Sequence, residues 1–543
     1  MKHIPSILKH LFAFGLIGLG SASAFAENPP ITPAWAFRHI VWEDEKNTTQ
    51  AAEELTRLYL EHQIPVGGII IDSPWSLSYN DFTWDTDRYP DPAAMIAGFK
   101  QKGIRVILWL TGNVNQKCKD TKEQKSSTYD EAVASNFGVN NSKPHDWWKG
   151  NGIHIDFTND KAKEWWYSQL DKVFVDGVSG FKVDQGEVYI GKFLETSKGR
   201  MSNEQFRPYY YDAMFDYVRK KSPEGIIIAR PYSHQGGYAA SVEKMNMGWC
   251  GDFGGDWKGL KDQINNIYRS AQRGYGSVGC EVAGFYMQRA NKEQFVRYAQ
   301  FGSMTATMIN GGENGAFANH LPWFHGEDVT EIYRRCVSLH HALIPYFFST
   351  VVDAHLHGGS LIQEVSLSEE SHRVGQSIFT KAITNAEGKA SFHLPSHGTW
   401  IDLNGKAYPA GTMVDSVYPL DSFPLFFEAG SVIPLFIEND YAGIGDSSMK
   451  GRLTLLIHPN GKTDTVLHIP DGDGVAYTDC AVSFDETTGK LSIRSGKERK
   501  YKVILKTDSK PKSVSGAKDW KFDSGTGLVI TVDGKDADLT IEK

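Results

Sequence analysis

Eight short apolar runs, each followed by a stretch of helical periodicity, constrain this chain more than any other feature. The runs are "AFRHIVW" (36–42), "VGGIIID" (66–72), "RVILWLT" (105–111), "GFKVD" (180–184), "IIIAR" (226–230), "MGWCG" (247–251), "SVGCE" (277–281) and "TATMIN" (305–310). Amphipathic stretches such as "TTQAAEELTRLYLEHQ" and "NDKAKEWWYSQLDKVF" lie between them. Such alternation predicts parallel strands covered by helices. Eight units predict a sheet closed on itself, a (β/α)8 barrel of the TIM type over 27–350. After the helical "VTEIYRRCVSLHHALIPYFFST" the texture changes to short alternating runs broken by Gly, Asn, Asp and Pro. That pattern predicts two C-terminal β-sandwich domains, over 351–445 and 446–543. A chain of 543 residues is long enough for several cores.

Residues 1–26 read as a secretory signal. Basic residues precede an apolar run from Leu11 to Leu19, and small residues with Ala24 and Ala26 follow before Glu27. The run is too short to span a bilayer, so a periplasmic or secreted protein without membrane insertion is expected. The net charge of -8 is spread without runs, which argues against a nucleic-acid partner. The five cysteines (118, 250, 280, 336, 480) match no metal-site spacing, and no His/Asp cluster does either. No metal or cofactor is expected. A bridge between Cys250 and Cys280 is left open, as is the oligomeric state.

Polar residues collect where the strands end, at Asp72, Asp184, Arg230, Asp252 and Glu281. In a barrel of this kind that rim carries the chemistry. Lys182 lies two residues before Asp184, so both point to the same face. A rim carboxylate can be an ion-pair partner, an acceptor for a sugar hydroxyl, a nucleophile or a general acid. The 14 Trp and 23 Tyr supply flat faces for stacking on sugar rings. Trp75, Trp109, Trp249 and Trp257 are candidate pocket walls, with core packing the alternative for each. Glycoside hydrolysis needs two such carboxylates, one to attack and one to protonate the leaving oxygen; a gap of about 5 Å gives retention and a wider one inversion.

Several motifs follow one another in an order that resembles a known family. They are "IPVGGIIIDSPWSLSYNDFTWDTDRYPDP", "GIHIDFTNDKAKEWW", "GFKVDQGE", "WCGDFGGDW", "VGCEVAGFY", "YAQFGSMTATMI", "LIPYFF" and "PLFFEAGSVIP". Together, from about Trp35 to about Leu435, the chain resembles glycoside hydrolase family 31, the retaining exo-α-glycosidases. The resemblance implies Asp184 as nucleophile and Asp252 as general acid/base, with Trp257 on its flank. Asp256 is the rival for the acid role. Glu281 stands where the family usually has Asp. Glu187, three residues past Asp184, either orients it, contacts a hydroxyl or sits in solvent. Lys182 either keeps Asp184 charged and donates to a sugar, or forms a structural ion pair. Family members usually carry a β-sandwich before the barrel, which is not expected here.

The departures from the family concern sugar choice. Leu77 stands where α-glucosidases place a ring-holding aspartate, and Ile309 and Gly311 stand where they carry an Arg-x-His pair. A lysine two residues before the nucleophile resembles α-galactosidases of families 27 and 36. The resemblance therefore implies an oligosaccharide or glycoside substrate, with α-galactosidase activity first. An α-N-acetylgalactosaminidase, α-xylosidase, α-glucosidase or sulfoquinovosidase, an α-transglycosylase and a non-catalytic sugar-binding protein are the alternatives.

Overall fold

The structure is a computed structural model that describes residues 28–543 apart from 45–46, 234–235, 286–288 and 313–319. The proposed signal lies outside the described residues. Eight strands form a closed barrel: β1 (Ile40–Glu43), β2 (Gly68–Ile71), β3 (Arg105–Leu110), β4 (Gly180–Val183), β5 (Ile226–Ala229), β6 (Met247–Trp249), β7 (Val278–Val282) and β8 (Met308–Asn310). Each pairs in parallel with its neighbours in sequence, and β1 closes the ring on β8. The runs of Ile at 69–71 and 226–228 are buried on both faces, which is why they do not alternate with polar residues.

The first run departs most from expectation at its start. Ala34–Phe37 form a 3-10 turn, and the strand begins at Ile40. The chain enters across the barrel floor, where Trp35 is fully buried and donates its Nε1 proton to Glu224 O at 2.8 Å. A strand could not cross that floor.

Helices cover the barrel, and local chemistry sets their ends. Helix α1 (Thr49–Glu61) starts where the Thr48 hydroxyl accepts from Ala51 N, and α2 (Asn203–Lys221) starts with a reciprocal Ser202–Gln205 capping box. Helix α3 (Trp257–Arg273) is capped by Asp256 and stops at Gly274, whose φ of 99° suits glycine. Between β3 and β4 the chain makes an excursion, an antiparallel sheet of Asn113–Cys118, Gly150–His154 and His145–Trp147. The excursion places residues 148 and 149 beside the barrel mouth.

Two β-rich units follow. The proximal one has a six-stranded sheet and a two-stranded one, packed around Phe379, Phe392, Trp400 and Phe426. The distal one is built on an eight-stranded sheet. Val432–Leu435, which the sequence reading assigns to the proximal unit, pairs instead with Leu453–Ile457 of the distal sheet. The three residues Ala429–Ser431 swap the chain between sheets, with Gly430 at φ 91°. The apolar texture is the same on both sides, so no composition change marks the switch. Helix α4 (Ile344–His357) ties barrel and β units together: Phe347, Phe348 and Val351 share one core with Met304, Leu425 and Ile433.

Candidate active site

Along each strand the inward side chains change character towards the C-terminal end. Ile40, Ile70, Ile107 and Ile228 form a dry plug with Met247. Two residues further on, the same faces carry Trp42, Asp72, Trp109 and Arg230. Lys182 sits in register with Trp109 on β3 and Ile228 on β5. The apolar layer fixes the backbones rigidly, and the polar layer above it inherits that precision.

The polar layer opens into a cavity of about 270 Å³, lined among others by Trp42, Asp72, Trp109, Lys182, Asp184, Arg230 and Asp252. This is near the lower end of small-ligand sites, roughly 300–1,000 Å³. Asp184 Oδ2 accepts from Trp109 Nε1 at 3.0 Å, and Oδ1 accepts from Arg230 Nη2 at 2.8 Å and from Gln185 N at 2.7 Å. The same Arg230 nitrogen lies 3.5 Å from Asp252 Oδ2. These two carboxylate oxygens are therefore separated by no more than the sum of the two contacts. That is shorter than the roughly 6.5–9.5 Å that inverting glycosidases keep between carboxyls.

The two aspartates have different electrostatics. Burial pushes both upwards. At Asp184 the Arg230 guanidinium, then Lys182 and the Trp109 and Gln185 donors, outweigh burial and hold the carboxyl below its usual range. At Asp252 burial, helped by the charge of Asp184, prevails over Arg230, and the carboxyl is raised. The two carboxyls are thus pushed in opposite directions, Asp184 towards the ionised form and Asp252 towards the protonated one.

Lys182 Nζ donates to Asp72 Oδ2 at 3.0 Å, with both side chains only 5% exposed. The ammonium stands 3.6 Å above the Trp42 ring and 4.9 Å from that of Trp249. Burial alone would lower its pKa, but Asp72, Glu281, Asp184 and Asp252 more than offset it, and Lys182 is held protonated.

Other expected residues stand away from the cavity lining. Trp75 is core, packed on Trp84 and donating to Trp109 O at 2.8 Å. Trp249 is a buried support beneath Arg230, whose guanidinium carbon lies 3.9 Å from its ring. Trp257 opens α3, half-buried against the helix core. Glu187 is not in solvent: it is fully buried, 3.8 Å from Arg207 Nε and 3.4 Å from the Tyr211 hydroxyl. Burial pushes it up to about 7. Glu281 is buried, and burial pushes it up to about 8 against the charge of Lys182. Asp256 caps a helix, accepting from Gly259 N at 2.8 Å, and does not line the cavity. Cys250 and Cys280 are buried free thiols, not a bridge.

Several lining residues were not anticipated: Asp44, Trp42, Trp148, Lys149, Tyr189 and Phe285. Trp42 and Asp44 end β1 just as Asp72 ends β2, so the same strand-end rule would have found them. Trp148 and Lys149 come from the excursion, which no periodicity announces. Trp42 stacks on Phe285 with ring centres 5.5 Å apart. It also fills the space beside Gly311, where any Cβ would overlap its ring. Leu77 does not line the cavity.

The model of the glycosyl hydrolases family 31 TIM-barrel domain matches residues 29–350. An α-xylosidase of Emericella nidulans is 22% identical over 75% of this chain and 54% of its own length. An isomaltosyltransferase of Sporosarcina globispora is 23% identical over 84% of this chain and 47% of its own. The chain thus spans about half the length of these curated relatives. The Flavobacterium johnsoniae GH31 dextranase FjDex31A complexed with glucose superposes with a TM-score of 0.83, at 20% identity, over 95% of this chain and 71% of that one. The fold is shared with that enzyme, and by the match over its barrel this chain belongs to glycosyl hydrolase family 31.

Proposed function

We propose that this protein hydrolyses terminal α-glycosides with retention, Asp184 acting as nucleophile and Asp252 as acid and base. The observation that carries the reading is the single Arg230 nitrogen shared by the two carboxylates inside one cavity. Asp184 attacks the anomeric carbon while the Asp252 proton passes to the leaving oxygen, and the aglycone departs. A covalent glycosyl ester on Asp184 remains. Asp252, now ionised, takes a proton from water, and the resulting hydroxide oxygen displaces Asp184 to release the sugar with its original anomeric configuration. A sugar hydroxyl in place of that water gives transfer, a reading favoured by the isomaltosyltransferase relative.

For the sugar, α-galactosides stand first. The support is the Lys182–Asp72 pair on the cavity wall, together with Leu77 and Gly311 at positions where α-glucosidases read glucose. A pocket of paired polar groups rejects sugars that leave those groups unmatched. The names of two α-xylosidase relatives and an α-glucosidase relative favour α-xylosides or α-glucosides as the second reading. Export by the N-terminal signal completes the proposal.

The test is release of nitrophenol from 4-nitrophenyl α-galactoside, α-xyloside and α-glucoside, with Asp184→Ala as control. Turnover of the glucoside or xyloside without the galactoside refutes the sugar assignment. Unchanged turnover by Asp184→Ala refutes the nucleophile.

A further inference from the structure

The cavity is closed below by the apolar plug and opens at the barrel mouth, so whatever follows a terminal sugar must sit at that mouth. Two aromatic rings on the lining, Trp148 and Tyr189, stand there. Tyr189 is 46% exposed and Trp148 is half-buried. Their centres lie 5.1 Å apart with the planes inclined at 53°, which makes a corner and not a closed stack. Trp148 also meets Trp147 and Trp109 edge to face, at 4.8 and 6.4 Å. Trp109 is the indole that donates to Asp184. The corner is therefore one ring removed from the proposed nucleophile.

The backbone under both rings is fixed. Trp148 and Lys149 form the turn of the hairpin in which Trp147 pairs with Gly150. The fully buried Asn115 side chain brackets that turn: Oδ1 accepts from Trp147 Nε1 at 2.8 Å, and Nδ2 donates to Lys149 O at 3.0 Å. Lys119 N donates to the same carbonyl at 3.0 Å. Gly150 completes the turn at φ 132°, where any Cβ would overlap Lys117 O. Tyr189 ends the 3-10 turn Gly186–Tyr189 that follows Asp184 directly. Holding these rings against a ligand therefore costs little further ordering.

A pyranose presents a face of C–H groups that lies on an indole or phenol ring while its hydroxyls stay in water; a methyl group offers no such face. We infer that Trp148 and Tyr189 are specificity-determining residues that hold the leaving unit, and that this unit is itself a pyranose. The substrates are then α-linked di- or oligosaccharides. The inference deepens the function proposed above and rests on it.

Melibiose, isoprimeverose and isomaltose test it, because they share a glucose leaving unit and differ only in the terminal α-linked sugar. For whichever is cleaved, kcat/KM is compared with that of the methyl α-glycoside of the same terminal sugar. Trp148→Ala and Tyr189→Ala should each lower the ratio of disaccharide to methyl glycoside by about three- to tenfold. Trp148→Phe keeps a flat face and should retain most of the parent's ratio. Thermal melting checks folding, and Tyr189→Ala, at an exposed ring, carries the test if Trp148→Ala does not fold. An unchanged ratio overturns the inference, whatever the loss on each substrate alone. If none of the three is cleaved, calorimetry of the full chain decides. One disaccharide must then bind at least about threefold more tightly than its terminal monosaccharide, a difference that Trp148→Ala removes. Equal binding, or none, overturns the inference. The nitrophenyl screen with Asp184→Ala judges the catalytic reading separately.

Discussion

Asp184 and Asp252 meet at one atom, Nη2 of Arg230, which lies 2.8 Å from the first and 3.5 Å from the second. The inequality of those contacts separates the roles. The close contact favours charge on Asp184; the longer one leaves Asp252 governed by burial and by its neighbour's charge. The rate should therefore follow a bell in pH. It falls on the acid side as Asp184 takes up a proton, below the ordinary carboxylate value. It falls on the alkaline side as Asp252 loses its proton, above that value. Arg230→Gln removes the strongest influence lowering Asp184, so its acid limb in kcat/KM should move to higher pH.

Removing the acid should cost according to the leaving group. Asp252→Ala is expected to lose roughly 10²–10⁴-fold on a substrate with a sugar leaving group. With 4-nitrophenolate, which departs without protonation, the first step should be nearly spared and the loss much smaller. A loss independent of the leaving group, measured as kcat/KM across aryl glycosides of graded acidity, would remove Asp252 from this role.

The barrel was legible because its strands are buried on both faces and so leave apolar runs of strand length, from "GIII" at β2 to "MIN" at β8. The proposed catalytic pair stood out because strand-end carboxylates are conspicuous against those runs. What pairs in space was not. Glu187 and Asp256 look like Asp184 and Asp252 in sequence, yet one is turned into the protein beside Arg207 and the other caps a helix. Indole faces carry no such label either: Trp75 and Trp109 end neighbouring strands, but only the second reaches Asp184. Sheet exchange at Gly430 is equally silent, because a strand keeps its pattern when it changes partners.

Lys182 and Asp72 form a pair with almost no access to water. Lys182→Met leaves a buried carboxylate without its cation, a change that typically costs about 3–5 kcal/mol. Asp72→Asn with Lys182→Met removes both charges and should recover much of that loss. Chemical denaturation of the two variants distinguishes the cases. If Lys182 donates to the sugar as proposed, the double variant should still turn over substrate poorly. Full activity in it would make the pair purely structural.

Asp256 provides a control within four residues of Asp252. Its carboxylate caps α3 through Gly259 N, so Asp256→Ala should cost about 1 kcal/mol of stability. Activity below the melting transition should stay within a few-fold of the parent. A loss comparable with that of Asp252→Ala would reverse the choice between the two aspartates.

Glu281 is 1% exposed, has one oxygen without a partner, and is raised from 4.5 to about 8 by burial, against the pull of Lys182. Its protonated form is thus favoured in the folded state. Below the unfolded value near 4.5 the group is neutral in both states and costs nothing. Between that value and about 8 the unfolded chain gains from ionising while the folded chain does not, and stability declines by about 1.4 kcal/mol per pH unit from this group. Above about 8 the penalty is constant. Glu281→Gln removes the ionisation and keeps the shape. The variant should match the parent near pH 4.5 and become progressively more stable than it up to pH 8, by a few kcal/mol. Melting temperatures of both proteins at pH 5 and pH 8.5 measure this, and a gap that does not widen with pH would show that Glu281 is ionised in the folded protein.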